Sequence, residues 1–392
     1  MSQRFPFTCA AALVFSSCGG KVTGLPILAG EPSGSETEAG PSSMNTVSSG
    51  ASAGSGSFEG TGQSTASGAS TGTAEGPDGM NGVMVQSDAD TFTRCGFMSG
   101  VATSPVTSPA PESVVAARIF LFLTDSSTLP QDLSSVSPVT ADWAANLATG
   151  ILDSDFTNGS APAGLVRFLT AWLGIPVPDA GLVAAQTWAA NLADPTATLT
   201  TLLAGPTSDP HRIGILTDPQ FLTAFGFASD RGVWMEQNLF CTLIPPPPPG
   251  IPPPTMTPGM TYRQWLESDV AAAECTACHE LIDPPGFSLE HFDDLGNYRD
   301  TDNGQPVDSS GTIASRMLSF TSIGDLAPQL ATSCPVARCF ANALMSDASA
   351  QFASTSAFTA GDVDEVASAF ANSNFSIRAL VKSIVGTSLF LQ

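Results

Sequence analysis

The chain has 392 residues, 42% of them hydrophobic, enough for a sizeable core and two or three modules. Acidic residues outnumber basic ones 36 to 13, the formal net charge is −23, and lysine occurs only at Lys21 and Lys382. No basic face can be assembled to displace nucleic-acid counterions, so a nucleic-acid partner is not expected. The acidic excess fits the solubility of an exported protein.

Residues 1–18 read as a lipoprotein signal peptide. Arg4 is a short positive region, Phe5 to Phe15 are mostly apolar, and Phe15-Ser16-Ser17-Cys18 is similar to a lipobox, which makes Cys18 the lipidation site. Phe15 departs from the usual Leu. The apolar run is too short to span a bilayer, so the expectation is a protein anchored to the membrane. Residues 19–107 are rich in Gly, Ser, Thr and acidic side chains, and basic residues are absent between Lys21 and Arg94. Such a segment buries too little apolar surface to offset its ordering entropy, and it reads as a disordered tether.

From residue 108 to 244 the pattern is helical. Helix starts or helical spacing occur at Ala110–Leu123, Val139–Leu152, Ala163–Leu173, Gly181–Leu192, Thr196–Leu203, Pro219–Phe227 and Val233–Phe240. Residues 245–257 are a Pro-rich linker, expected as polyproline II. A third module spans 258–318. Its helix is expected from Thr261 to Glu280, with Asp283-Pro284-Pro285-Gly286 as the stop. Turns follow at Asn303-Gly304 and Ser310-Gly311, with short strands near Val307 and Thr312-Ile313. Residues 319–392 return to helix, from Ile323, then Pro335–Met345, Asp362–Phe370 and Ser376–Phe390. The fold class is therefore mainly α: a tether, a helical domain and a c-type-cytochrome-like helical region.

The chemistry centres on Cys275-Thr276-Ala277-Cys278-His279. Two thiols at i and i+3 with an imidazole at i+4 share one helix face. That arrangement supplies two thioether anchors and an iron ligand, the pattern of covalent haem c attachment. Two other uses of these residues stand beside it. One is a Cys275–Cys278 disulfide. The other is zinc held with His291 or Asp293, although adjacent Cys and His suit a tetrahedron poorly. Four further cysteines, Cys95, Cys241, Cys334 and Cys339, allow three disulfide pairings in an oxidising compartment. Spacing leaves all three open.

The run from Cys275 to Arg299, with Ile282-Asp283-Pro284, Gly286-Phe287, Leu289-Glu290, Phe292-Asp293, Gly296 and Tyr298, resembles the cytochrome-like module of large secreted planctomycete and myxobacterial proteins built from domains of unknown function. The resemblance extends to His211-Arg212, Gly214, Arg231-Gly232 and Cys241 on one side. On the other side it takes in Phe375 to Phe390, so it covers roughly 108–392. It implies a c-type cytochrome role with His279 as proximal ligand. The sequence departs from the pattern at Glu267-Ser268-Asp269, where relatives carry a histidine, and at Met345-Ser346-Asp347. Met317 is then the foremost candidate for the sixth iron position, followed by Met345 and His291. His211-Arg212 reads as a structural pair, and Asp300, Asp302 and Asp308 miss the spacing of a calcium loop.

The expected function is electron transfer by a mono-haem, outer-membrane-anchored lipoprotein facing the periplasm or cell surface, with a redox protein as partner. The alternatives are a haem-free surface interaction or glycan-associated scaffold with a Cys275–Cys278 disulfide, and a five-coordinate haem enzyme.

Overall fold

Thr140 hands its side-chain oxygen to Trp143 N, and Gly159 takes a left-handed conformation. These two residues bracket α2 (Ala141–Asn158), and the same logic of caps and apolar stripes builds the rest. In this computed structural model the described residues are Cys95, 106–129, 139–175, 178–245, 257–269, 273–352 and 358–392. The chain divides into two units, residues 29–87 and the remainder, and every described residue belongs to the second. The signal peptide with Cys18, most of the tether and most of the Pro-rich linker lie outside the described residues.

The elements before the linker are α1 (Glu112–Thr124), α2, α3 (Ala163–Leu173), α4 (Pro178–Ala193), α5 (Leu199–Ala204), α6 (Pro219–Ala224) and α7 (Ala228–Leu239). After it come α8 (Tyr262–Asp269), α9 (Ala273–Phe287), β1 (Thr301–Asp302), β2 (Gln305–Pro306), β3 (Gly311–Ile313), β4 (Leu318–Phe320), α10 (Ile323–Ala331), α11 (Cys334–Gln351), α12 (Ala360–Asn372), α13 (Ile377–Val385) and α14 (Ser388–Leu391). The protein is mainly α-helical, as its sequence predicts. The strands form two antiparallel pairs, β1 with β2 and β3 with β4. Asn303 and Gly304 both take positive φ in the two-residue turn joining β1 and β2, as a tight hairpin requires.

One hydrophobic cluster runs from Val115 on α1 through Trp172, Phe221 and Trp234 to Phe340, Phe370 and Phe390. Segments on both sides of the linker therefore share a core. Trp172 meets Trp234 and Phe340 edge to face, with centroids 4.9 and 5.3 Å apart, a favoured geometry for aromatic quadrupoles. Cys95 pairs with Cys334 and Cys241 with Cys339, which resolves the pairing that spacing left open for these four.

Two sequence expectations are corrected. Asp283-Pro284-Pro285-Gly286 does not stop the helix: α9 continues to Phe287 with both prolines inside it. The prolines remove two backbone donors, but tertiary packing on this stretch, described below, holds the helical course. The C-terminal helix expected over Ser376–Phe390 is broken instead at Gly386-Thr387.

Candidate functional site

α9 crosses α7 at backbone contact distance. A Cβ on Gly232 would lie 1.6 Å from Ile282 O, and one on Gly286 would lie 1.9 Å from Ala228 O. Only glycine permits such an approach. It fixes the height and rotation of α9, and thereby the side chains of its first half.

Cys275 is 6% exposed and His279 4% exposed, while Cys278 is half-buried. His279 Nδ1 lies 3.0 and 2.9 Å from the two carboxylate oxygens of Asp283, one turn further along α9. Ser229 Oγ, on the facing side of α7, donates to Asp283 Oδ1 at 2.7 Å. The phenol of Tyr262 on α8 is pushed well above its ordinary value, chiefly by burial and then by the charges of Glu290, Asp230 and Asp283. Tyr262 therefore stays a neutral hydroxyl. Side chains of α7 and α9 thus converge on one imidazole.

Cys278 is a free thiol and Cys275 is disulfide-bonded. The two do not bridge each other, so the Cys275–Cys278 disulfide of the scaffold alternative is not formed. Nor do the expected zinc partners turn toward His279. His291 Nδ1 donates to Arg299 O, 2.9 Å away, and Asp293 accepts from the backbone of Leu295 and Asn297. Among the described residues no group of three or more His, Cys, Asp or Glu side chains is arranged to hold a metal ion.

Met317 stands 92% exposed, in a left-handed turn between β3 and β4. The structure does not bring it to the buried His279. Met345 is fully buried in the core face of α11. His211 stacks on Tyr298 at 3.9 Å and His291 on the same ring at 5.3 Å. Arg212 donates to Thr217 O and Gly296 O, both at 2.6 Å, which is the structural role expected of it. The three candidate calcium carboxylates go separate ways. Asp302 accepts from Tyr262 N and pairs with Arg299, Asp308 accepts from Ser310, and Asp300, after burial, pushes up the pKa of the Tyr298 phenol.

Beside the C-terminal end of α9 lies a buried charged cluster. Arg231 donates to the carbonyls of Leu222, Phe225, Leu289, Phe292 and Asp293. Burial lowers its pKa to about 10, so it is a cation at neutral pH. Glu290 is pushed up to about 7 by burial, against the opposing pull of Arg299 and Arg231. These groups and Tyr262 line a cavity of about 30 Å³, room for a water or two and far below a haem macrocycle.

The donor set of α9 fits a covalently attached haem: two sulfurs and an imidazole on consecutive turns, the imidazole oriented by a carboxylate as metal-bound histidines usually are. Enclosure of the group would require the chain covering Cys275 and His279 to move aside. Ser229, Tyr262 and the orienting role of Asp283 are not visible in the motif itself. The signal that finds Asp283 is its i, i+4 spacing from His279, once the helix is allowed to pass through Pro284 and Pro285.

The family described as PSCyt3, protein of unknown function (DUF1588), matches residues 212–302, less than a quarter of the chain. The match includes α6 to α9 and the first strand, hence Ser229, Tyr262, Cys275, Cys278, His279 and Asp283. Comparisons with curated proteins and with solved structures returned no match.

Proposed function

We propose that Cys275, Cys278 and His279 attach a single c-type haem and that the protein carries electrons at the cell envelope, anchored there through Cys18. The observation that supports this reading is the hydrogen bond from His279 Nδ1 to Asp283, 2.9 Å long and buried. A ring whose Nδ1–H faces a carboxylate presents Nε2 as its basic nitrogen, the state an iron ligand needs. A bound haem supplies a one-electron ferric/ferrous couple. The rest falls to the chain: α9 sets the spacing of the sulfurs, Ser229 of α7 holds Asp283, and burial keeps bulk water from the ring. Because Cys275 is disulfide-bonded, thioether formation there first requires a thiol reductant to reduce that bond.

The same disulfide, with the burial of His279, favours a second reading: a haem-free envelope interaction module. Co-expression of the full chain with a cytochrome c maturation system separates the two. The expected result is a thioether-type pyridine haemochrome spectrum and an intact mass raised by one haem, both lost in Cys275→Ala/Cys278→Ala. A chain of unmodified mass with no haemochrome would leave the interaction module standing.

A further inference from the structure

An aspartate before a proline ordinarily spends its carboxylate on nearby backbone N–H groups. Asp283 does not. Both its oxygens face His279 Nδ1, and one also accepts from Ser229 Oγ at 2.7 Å. His279, Asp283 and Ser229 are each no more than 5% exposed. The line Ser229–Asp283–His279 draws on α7 and α9, and at its end is the ring read above as an iron ligand.

A buried carboxylate on one ring nitrogen has two effects. It keeps the proton on Nδ1 and the lone pair on Nε2. It also stabilises the positive charge that builds on the ring when Nε2 donates to a metal, and low surrounding polarity strengthens that effect. A ring backed by a full negative charge is a stronger donor than one backed by a neutral carbonyl or amide, and a stronger donor favours ferric over ferrous iron.

We infer that Asp283, held by Ser229, is the positioning residue that fixes the tautomer of His279 and raises its strength as a ligand. The inference rests on the haem reading for its second half alone; the tautomer belongs to the haem-free protein. The test accordingly has two arms. In the first, the full chain is made without haem and labelled with ¹⁵N at histidine, and His279→Gln identifies the His279 signals among the three histidines. The ring is expected as Nδ1–H with an unprotonated Nε2, and Asp283→Ala is expected to release it to a mixture of tautomers. In the second arm, haem-loaded Asp283→Asn keeps an acceptor but loses the charge. It is expected to shift the reduction equilibrium about tenfold toward ferrous, a rise of about 59 mV for one electron. Ser229→Ala, which spares the carboxylate but removes a donor from it, is expected to shift it less and toward ferric, and serves if the Asp283 variants do not fold. An Nε2–H ring in the wild type, or a potential unmoved in both folded variants, would overturn the inference. Absence of bound haem would overturn the haem reading instead, with the tautomer arm still deciding the role of Asp283.

Discussion

Arg231 illustrates how a single side chain can organise a region without touching a carboxylate. Its guanidinium satisfies five backbone carbonyls from two stretches of chain, 222–225 and 289–293. A lysine ammonium has three donors and no planar fork. Arg231→Lys should therefore orphan at least two buried carbonyls and cost about 3 kcal/mol or more, read as a lower urea midpoint with an unchanged slope. Nothing in the sequence announces this role. Arg231-Gly232 stands out there as a family-like pair, but carbonyl partners about sixty positions away carry no side-chain signature. Glu290 is similar: its place in the motif is legible, its burial is not. Because burial raises its pKa from the ordinary 4.5 to about 7, the folded state keeps a proton that the unfolded chain releases. Its contribution to stability is full below pH 4.5 and is lost as pH rises to 7 and beyond. Asp230, also pushed up to about 7 by burial, acts in the same direction. Thermal midpoints should thus fall between about pH 4.5 and 7, and Glu290→Gln should flatten that slope; an equally steep slope in the variant would remove Glu290 as its source.

At the scale of elements, the contact of α7 with α9 decides where the site lies. Gly232 and Gly286 let the two helices meet through backbone atoms. Gly232→Ala has to displace a main-chain carbonyl, not the end of a flexible side chain. The expected cost is at or beyond the upper end of the usual overpacking range, about 3 kcal/mol. In the haem-free chain the His279–Asp283 hydrogen bond, internal to α9, should survive. The link from Ser229 should lengthen, which the His279 ring ¹⁵N shifts and a crystal structure of the variant would both register. Most helices are legible because apolar spacing and caps mark them: Ala163–Leu173 is predicted and found without change. α9 is misread at its end because local turn chemistry argues for a stop, while the opposing term, packing on α7, is non-local. β4 is missed for the same reason. It is a three-residue strand paired with β3, and its alternation is too short to register.

At the scale of the molecule, the linker suggests independent modules, yet residues before and after it share one core, and two disulfides tie them together. Both disulfides end on α11, at Cys334 and Cys339, and reach back to Cys95 and to Cys241 just after α7. The sequence shows these four cysteines, but the partners depend on how α7 and α11 pack, which spacing does not encode. The Cys241–Cys339 bond joins residues 98 apart and Cys95–Cys334 residues 239 apart. Loop-closure entropy grows only with the logarithm of length, so the two bonds should differ by less than about 1 kcal/mol on that account. Paired serine substitution at either should cost about 2–4 kcal/mol, measured as urea stability of the full chain. The structural consequences should differ more than the energies. Cys241 sits at positive φ, a backbone state that a non-glycine residue keeps only when its surroundings hold it. It directly follows the helix that carries Ser229 and Arg231. Cutting Cys241–Cys339 should therefore raise hydrogen exchange along α7 and α9, and cutting Cys95–Cys334 should leave those helices protected. Equal protection in both variants would mean that the α7–α9 contact holds the site without help from the cross-link.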